Sequence, residues 1–430
     1  MAVIPNSTPT SLEMTQSQRA IKRAMIATLL AAFLGWMFDG LEMGIFPLVA
    51  RPALQEFQMS TGVVSEQYVQ HWMGIVTAAF LIGAAVGGLA FGWLGDRIGR
   101  VRAMTLSVLV YSIFTGLKYF AHGPFDLAFL RFISALGMGG EWSLGVALVM
   151  ESWPENRRPL MAGLIGFSSN LGFALIAVIG IFFQTTVHSW RWVMLVGSSP
   201  ALLALAIVWF VPESEKWKHS VRIEGPAKPV REIFGPKMLR NTLLGILISS
   251  IPLIVTWGIV LWIPLWADQM TGGSLPRVKA YSLLAISVGA ALGALTAPLF
   301  GSRFGRRPVY VTLCLGSFIS CTILFTVFRA YSASFLAVAG LAGFFTSSFY
   351  GWFPQYLPEL FPTRVRATGQ GVCYNFGRIL TAVCAWKMGS LMALLGNSYA
   401  TAGETVVYIY VVGIVAIWFL PETFGRPLPD

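Results

Sequence analysis

The chain has 430 residues, 56% of them hydrophobic and 11% charged, with a mean hydropathy of +0.69. Soluble domains are about one quarter charged, so a water-soluble globule is excluded, and the apolar positions suffice for twelve membrane spans of about 20 residues each. The net charge of +11, from 30 Lys+Arg against 19 Asp+Glu, would point to nucleic acid in a soluble protein. Here the basic residues gather in short links between apolar runs, so the lipid bilayer is the expected partner and no nucleic acid is expected.

In chain order, apolar runs fall near 24–49, 71–92, 103–121, 127–150, 159–183, 190–211, 242–267, 279–300, 308–329, 332–357, 367–393 and 402–420. Twelve spans place both termini on one side of the membrane. That side collects 21 Lys+Arg against 5 on the other, a bias that predicts cytoplasmic termini in the cytoplasmic (inner or plasma) membrane. The first 23 residues are polar and end on Arg19, Lys22 and Arg23, so the first run reads as a retained span. Cys314, Cys321, Cys373 and Cys384 lie inside apolar runs and the four histidines are scattered; neither a disulfide frame nor a metal site is expected.

The two halves repeat. Gly83-x3-Gly87 recurs as Gly289-x3-Gly293, and Gly95-Asp-Arg-Ile-Gly-Arg100 as Gly301-Ser-Arg-Phe-Gly-Arg306. Glu151-Ser-Trp-Pro154 matches Glu359-Leu-Phe-Pro362, Asn170-Leu-Gly172 matches Asn375-Phe-Gly377, and Val211-Pro-Glu-Ser214 matches Leu420-Pro-Glu-Thr423. All five matches lie in chain order at offsets of 205 to 209. The expected fold is an all-α polytopic membrane protein of two pseudo-symmetric six-helix bundles: an N-terminal bundle over 1–212, a cytoplasmic linker over 213–240 and a C-terminal bundle over 241–430. Transporters that rock two halves about a central site share this plan.

At these residues the chain resembles the major facilitator superfamily. The segment from Gly92 through Asp96, Arg97, Gly99 and Arg100 to Arg102 is similar to that superfamily's signature loop between spans 2 and 3. Glu151 with Pro154–Arg158, Pro212-Glu213-Ser214 and Pro421-Glu422-Thr423 resemble the sugar-porter-type branch. The resemblance implies a cytoplasmic latch formed by Gly92, Asp96, Arg97, Gly99, Arg100, Glu151, Arg158, Glu359 and Arg366, whose charge-assisted contacts break when the halves rock. For Arg97 and Arg102 a solvated, positive-inside turn is an equal alternative.

Charges inside spans cost about 2.5–3.5 kcal/mol each on insertion scales, so each needs a role. Asp39 and Glu42 stand at i and i+3 on one face of span 1. Span 4 carries Arg131 near its outer end and Glu141 about 15 Å farther along. Arg378 lies about 18 Å beyond Arg366, near the midplane of a ~30 Å core. The Asp-Gly-x-acid pattern of span 1 is similar to that of aromatic-acid, sialate and monocarboxylate proton symporters, and the resemblance implies proton coupling through Glu42 or Asp39 with Arg131. Glu141 is either a second proton site or a counter-charge to Arg378. Tyr374-Asn-Phe-Gly-Arg378 resembles the span-11 Arg of organic-ion carriers, and a guanidinium suits a carboxylate. The alternative gives Arg378 a structural partner, Glu359 or a span-10 carbonyl. Lys118 and Lys387 are expected to snorkel to the interface.

Trp36, Trp142, Trp257, Phe349, Tyr350, Asn170 and Asn375 are candidates to line a substrate cavity with Arg378. The expected function is uptake of a small organic anion, a carboxylate by preference, with the proton as coupling ion and no cofactor, by a monomer. Alternatives are a sugar or polyol symporter and a proton-driven exporter of metabolites or drugs. A membrane acyltransferase would need an intramembrane His-x4-Asp pair, and the spacing of His122 and Asp126 does not match, so no enzyme is expected.

Overall fold

The computed structural model describes residues 11–59, 66–183, 186–224, 228–272, 275, 277–394 and 399–429; the side chains of 385–394, Lys387 among them, lie outside the described set. The described chain is helical. Helix α1 spans Ser11–Met59, α2 Glu66–Ile98, α3 Arg100–Leu117, α4 Pro124–Ser152 and α5 Arg158–Phe182. Span α6, Trp190–Phe210, is interrupted between Gly197 and Pro200, where proline lacks the N–H that would continue the ladder. Two short helices, Glu215–Glu224 and Pro229–Ile233, follow in the link to the second half.

The second half repeats the plan. Span α7, Leu239–Met270, breaks after Gly258 and restarts at Ile263 with Pro264 in its first turn, a position proline tolerates. Then come α8 (Val278–Phe304), α9 (Arg306–Val327), α10 (Ala333–Tyr356), α11 (Arg366–Leu394) and α12 (Tyr399–Phe419). The Ser332 side chain caps α10 by accepting from the Phe335 N–H at 3.1 Å, satisfying one of the helix's orphan donors.

Among the described residues, eleven of these spans are long and apolar enough to cross a membrane by length and composition. Helix α11, whose side chains beyond Cys384 lie outside the described set, is also long enough to cross the bilayer core and carries Thr368, Gln370, Asn375, Arg378 and Thr381. All five side chains are buried, because the face of α11 that carries them packs between α2, α7 and α4, while Phe376, Leu380 and Val383 on its other face are exposed.

Packing follows the internal repeat. In the first half α1 packs on α5, and α2 and α3 on α4; in the second, α7 packs on α11, and α8 and α9 on α10. The halves meet through two equivalent pairs, α2 with α11 and α5 with α8. The repeated Gly-x3-Gly pairs explain the closest approaches: a Cβ on Gly87 would lie 1.9 Å from the Leu136 carbonyl oxygen of α4, and one on Gly293 would lie 2.1 Å from that of Phe344 on α10. Small residues let membrane helices touch backbone to backbone. Away from these seams, Leu202, Trp209 and Phe210 are more than 70% exposed and face the lipid.

Candidate functional site at the interface of the two halves

Among the described residues buried charge gathers in two regions, one where α2 turns into α3 and α8 into α9, the other along α1, α3, α4 and α11 away from those turns. Gly99 and Gly305 turn the chain between α2 and α3 and between α8 and α9 with φ of 110° and 95°, a region open to glycine. Each turn exposes a helix N-terminus, and a carboxylate covers it. Glu213 accepts the Arg100 N–H at 2.8 Å, and Glu422 accepts the Arg306 and Arg307 N–H groups at 3.0 Å each. Anions are favoured at such termini.

Around the first turn, the Arg100 guanidinium donates to Asp96 at 2.8 Å, to Glu151 at 3.2 Å and to the Thr363 carbonyl at 2.9 Å. The other oxygen of Asp96 accepts the Thr368 N–H at 2.9 Å and its hydroxyl at 2.5 Å. Arg366 donates to Glu151 at 3.3 Å, and the Ser214 hydroxyl donates to the second Glu151 oxygen. These bonds join α2, α3 and α4 to the start of α11. Around the second turn Arg306 binds Glu359 through two bonds of 2.7 and 3.0 Å, and Thr423 donates to Glu359 at 2.5 Å.

Of the residues expected in the latch, Asp96, Arg100, Glu151 and Arg366 thus converge, and Gly92 lies against the backbone of Ala367. Three do not join them. Arg158 bonds Glu155 of its own loop at 3.3 Å, Arg97 lies over the Trp93 ring at 4.7 Å on the surface, and Glu359 is held within the second half by Arg306. That last contact also removes Glu359 as a partner for Arg378.

Near the end of α3 and the start of α4, Glu42 on α1 is 1% exposed and one of its oxygens accepts from Lys118 at 2.6 Å, from Arg131 at 2.8 Å and from the Thr115 hydroxyl at 3.4 Å. Arg131 is clamped between the rings of Phe46 and Phe80, 4.4 and 4.6 Å away. The Glu42–Arg131 pair is the one expected from the sequence. Lys118 corrects an expectation: it is buried against Glu42 rather than reaching the interface. Its helix carries Ser107, Tyr111, Thr115 and Lys118 on one face, all buried, and that polar stripe at helical spacing was the available signal.

One turn inward on α1, Asp39 faces Glu141 of α4 and lies within electrostatic reach of Arg378. Glu141 rests over Gly35, where a Cβ would meet its carboxylate oxygen at 1.7 Å. Neither Glu141 oxygen finds a hydrogen-bond donor among the described residues, nor does one Asp39 oxygen.

Arg378 lies beside these carboxyls on α11, its guanidinium over the Tyr374 ring at 5.2 Å. It is buried, yet its Nε and one terminal nitrogen have no acceptor among the described residues. It lines a central cavity of about 60 Å³ with Trp36, Asn170, Trp257, Tyr350 and Tyr374. Tyr374 stacks on Trp142 at 4.0 Å, and Trp36 meets both edge-on. Three expected cavity residues lie elsewhere. Phe349 packs against Tyr310 and Tyr410 inside the second half. Asn375 donates across the interface to the Gly139 carbonyl at 3.0 Å, and Trp142 stands behind Tyr374. The long aromatic and amide side chains on these crowded faces are used for packing. Ser169, Thr256, Ser287 and Ser347, which also line the cavity, carry no distinguishing sequence pattern.

Comparison with known proteins places this arrangement. A family model described as Major Facilitator Superfamily matches residues 24–302, and one described as Sugar (and other) transporter matches 235–430. A putative metabolite transport protein of Haemophilus influenzae is 30% identical, over 81% of this chain and 86% of its own. The cis,cis-muconate transport protein of Acinetobacter baylyi is 26% identical over 91% and 94%, and the sialic acid transporter NanX of Escherichia coli 30% over 81% and 83%. The solved structure of the proton:xylose symporter XylE of E. coli superposes with a TM-score of 0.77 at 19% identity, covering 94% of this chain and 98% of that one. The chain belongs to the major facilitator superfamily and is a multi-pass membrane transporter of small molecules, not an enzyme.

Proposed function

We propose that the protein takes up a small organic anion, a carboxylate, together with protons by alternating access. The observation that carries this reading is the Arg378 guanidinium, buried at the cavity wall with two nitrogens unengaged among the described residues. A buried charge without a partner is strongly unfavourable, and a carboxylate would engage it through paired hydrogen bonds. Muconate and sialic acid, named for two relatives, both carry carboxylates.

Proton coupling is assigned to Asp39 and Glu141. Two carboxyls held together in a water-poor site cannot both stay ionised without compensation, whereas Glu42 already faces two cations. A proton arriving from outside neutralises one of the pair and leaves the nearby Arg378 charge uncompensated, and the anion then docks on Arg378. The cavity is far below the ~300 Å³ at the small end of ligand pockets, so the halves must part for a solute to enter or leave. Loss of the Asp96–Thr368 and Arg366–Glu151 contacts opens the cytoplasmic side, where proton and anion depart. The remaining assignments of the reading are cytoplasmic termini, the inner or plasma membrane and a monomeric carrier.

Uptake into proteoliposomes under an imposed inward proton gradient tests the proposal, with labelled niacin, sialic acid, benzoate and xylose compared. Accumulation of an acid that collapses on dissipating the gradient is expected. Accumulation of xylose alone would replace the reading with a sugar symporter, the alternative favoured by the family match over 235–430.

A further inference from the structure

Among the described residues that line the central cavity, Arg378 is the one that carries a charge. The wall contributed by the second half otherwise bears hydroxyls, from Thr256 of α7, Ser287 of α8, and Ser347 and Tyr350 of α10. Two of these are unsatisfied. Thr256 and Tyr350 are 8% and 9% exposed, and neither hydroxyl oxygen has a hydrogen-bond partner among the described residues. Other hydroxyls on α7, α10 and α11 bond a carbonyl one turn back on their own helix: Ser250 bonds Ile246, Thr346 bonds Ala342 and Thr381 bonds Gly377, at 2.6 to 2.8 Å. Thr256 does not use this outlet, and a buried tyrosine hydroxyl normally finds a partner. The two hydroxyls approach each other without closing a hydrogen bond. Leaving such groups unpaired costs stability, so each has a bond to give.

Backbone packing places them. Gly351, next to Tyr350, lies so close to α8 that a Cβ would stand 1.8 Å from the Ala294 carbonyl oxygen, and one on Gly166 of α5 would stand 2.8 Å from the Tyr350 carbonyl carbon. These glycines let three helices meet backbone to backbone, which fixes where α10 carries Tyr350. Thr256 stands two residues before α7 breaks after Gly258. Tyr350 and Arg378 border the same ring: Tyr374 has the Arg378 guanidinium over it at 5.2 Å and the Tyr350 ring edge-on at 6.3 Å. A solute that touches both need only reach across one tyrosine ring.

We propose that the Tyr350 and Thr256 hydroxyls form a second, uncharged pole of the site, and that the transported anion is a compact monocarboxylate bearing one neutral hydrogen-bonding group, a hydroxyl or carbonyl. The inference rests on the anion-symport reading above and names the solute class within it. Arg378 takes the carboxylate at one pole. At the other, each hydroxyl can donate or accept, so a neutral group is held whichever way its own hydrogen points. Charge excludes a second carboxylate there. It would meet no second cation on the cavity wall among the described residues, since Lys118 and Arg131 are engaged by Glu42, and an uncompensated buried charge is strongly unfavourable. A site built to bond a polar group also discriminates against the analogue that lacks it, because its own groups are then left unpaired.

The test uses the full-length protein in proteoliposomes with a matched set of probes: benzoate, its meta- and para-hydroxy forms, and terephthalate, which carries a carboxylate in place of the para-hydroxyl. Each competes for counterflow of the labelled acid that wild type accumulates. Pairing the two free hydroxyls is worth about tenfold in affinity, so the better hydroxy acid should inhibit about tenfold more strongly than benzoate, and terephthalate more weakly than benzoate. Every variant serves as its own reference through the ratio of hydroxy acid to benzoate. That ratio should fall in Tyr350→Phe and in Thr256→Val and approach one in the double variant. A merely structural role would weaken every acid alike and leave the ratio unchanged. A ratio near one in wild type, a double variant with the wild-type ratio, or terephthalate matching or exceeding benzoate overturns the proposal; if the double variant does not assemble, an unchanged ratio in both single variants overturns it. Failure of wild type to accumulate any of niacin, sialic acid and benzoate overturns the anion-symport reading itself, and this inference with it.

Discussion

Arg366 on α11 reaches across the two halves to Glu151 on α4 at 3.3 Å, with both side chains fully buried. Its repeat counterpart, Arg158, has the equivalent sequence position but turns back to Glu155, which is 62% exposed. This end of the molecule is thus asymmetric: the first-half carboxylate is bridged across the interface and the second-half one is not. Breaking a buried pair leaves an uncompensated charge and costs about 3–5 kcal/mol, whereas an exposed pair is worth under about 1 kcal/mol. Arg366→Ala should therefore lower the unfolding temperature of the detergent-solubilised protein well beyond Arg158→Ala, which should be near neutral. Equal effects would remove the asymmetry from the account.

A second expectation concerns helix contact. Gly87→Val places a branched side chain where a single Cβ already lies 1.9 Å from a carbonyl oxygen of α4, while Gly74 of the same helix has nothing within 4 Å. Overpacking costs typically 1–3 kcal/mol. Gly87→Val should reduce the folded fraction seen by size-exclusion chromatography, and Gly74→Ala should not.

Much of this was readable in the sequence and some was not, for physical reasons. The spans, the repeat and the pairing of Glu42 with Arg131 follow from hydropathy, spacing and the cost of charge in a membrane. Lys118 was misplaced because a lysine near a span end reads as snorkelling unless the buried stripe of Ser107, Tyr111 and Thr115 is read with it. Asn375 and Phe349 were assigned to the cavity because residue type cannot tell an inward face from an interhelical one. Nor can the repeat foretell that Arg366 and Arg158 differ, since the asymmetry arises from tertiary packing.

At the second turn, pH gives a separate handle. Burial pushes the Glu422 carboxyl up, but N–H groups of Arg307, Arg306, Phe424 and Thr423 outweigh it and hold the carboxyl below the ordinary range. A group whose value falls on folding stabilises the fold above its unfolded value, about 4.3 for Glu, and loses that contribution as pH falls through the folded value. Glu422→Gln should thus lower the melting temperature at pH 7, with the gap to wild type closing below about pH 4. A constant gap would assign Glu422 a role other than its charge.

Coupling can be separated from binding. Asp39→Asn and Glu141→Gln should each abolish gradient-driven accumulation while leaving substrate counterflow within a few-fold of wild type, since Arg378 remains. Loss of counterflow in both would mark the pair as structural.

The central claim is that Arg378 binds the carboxylate of the transported solute, and one comparison tests it most directly. Counterflow of the acid that wild type accumulates should be measured for wild type, Arg378→Lys and Arg378→Ala. Losing a charge-assisted pair costs about 1.5–3 kcal/mol or more, so Arg378→Ala should lose at least tenfold in apparent affinity. Arg378→Lys should recover part of that loss. Acid counterflow by Arg378→Ala at wild-type affinity would contradict the account.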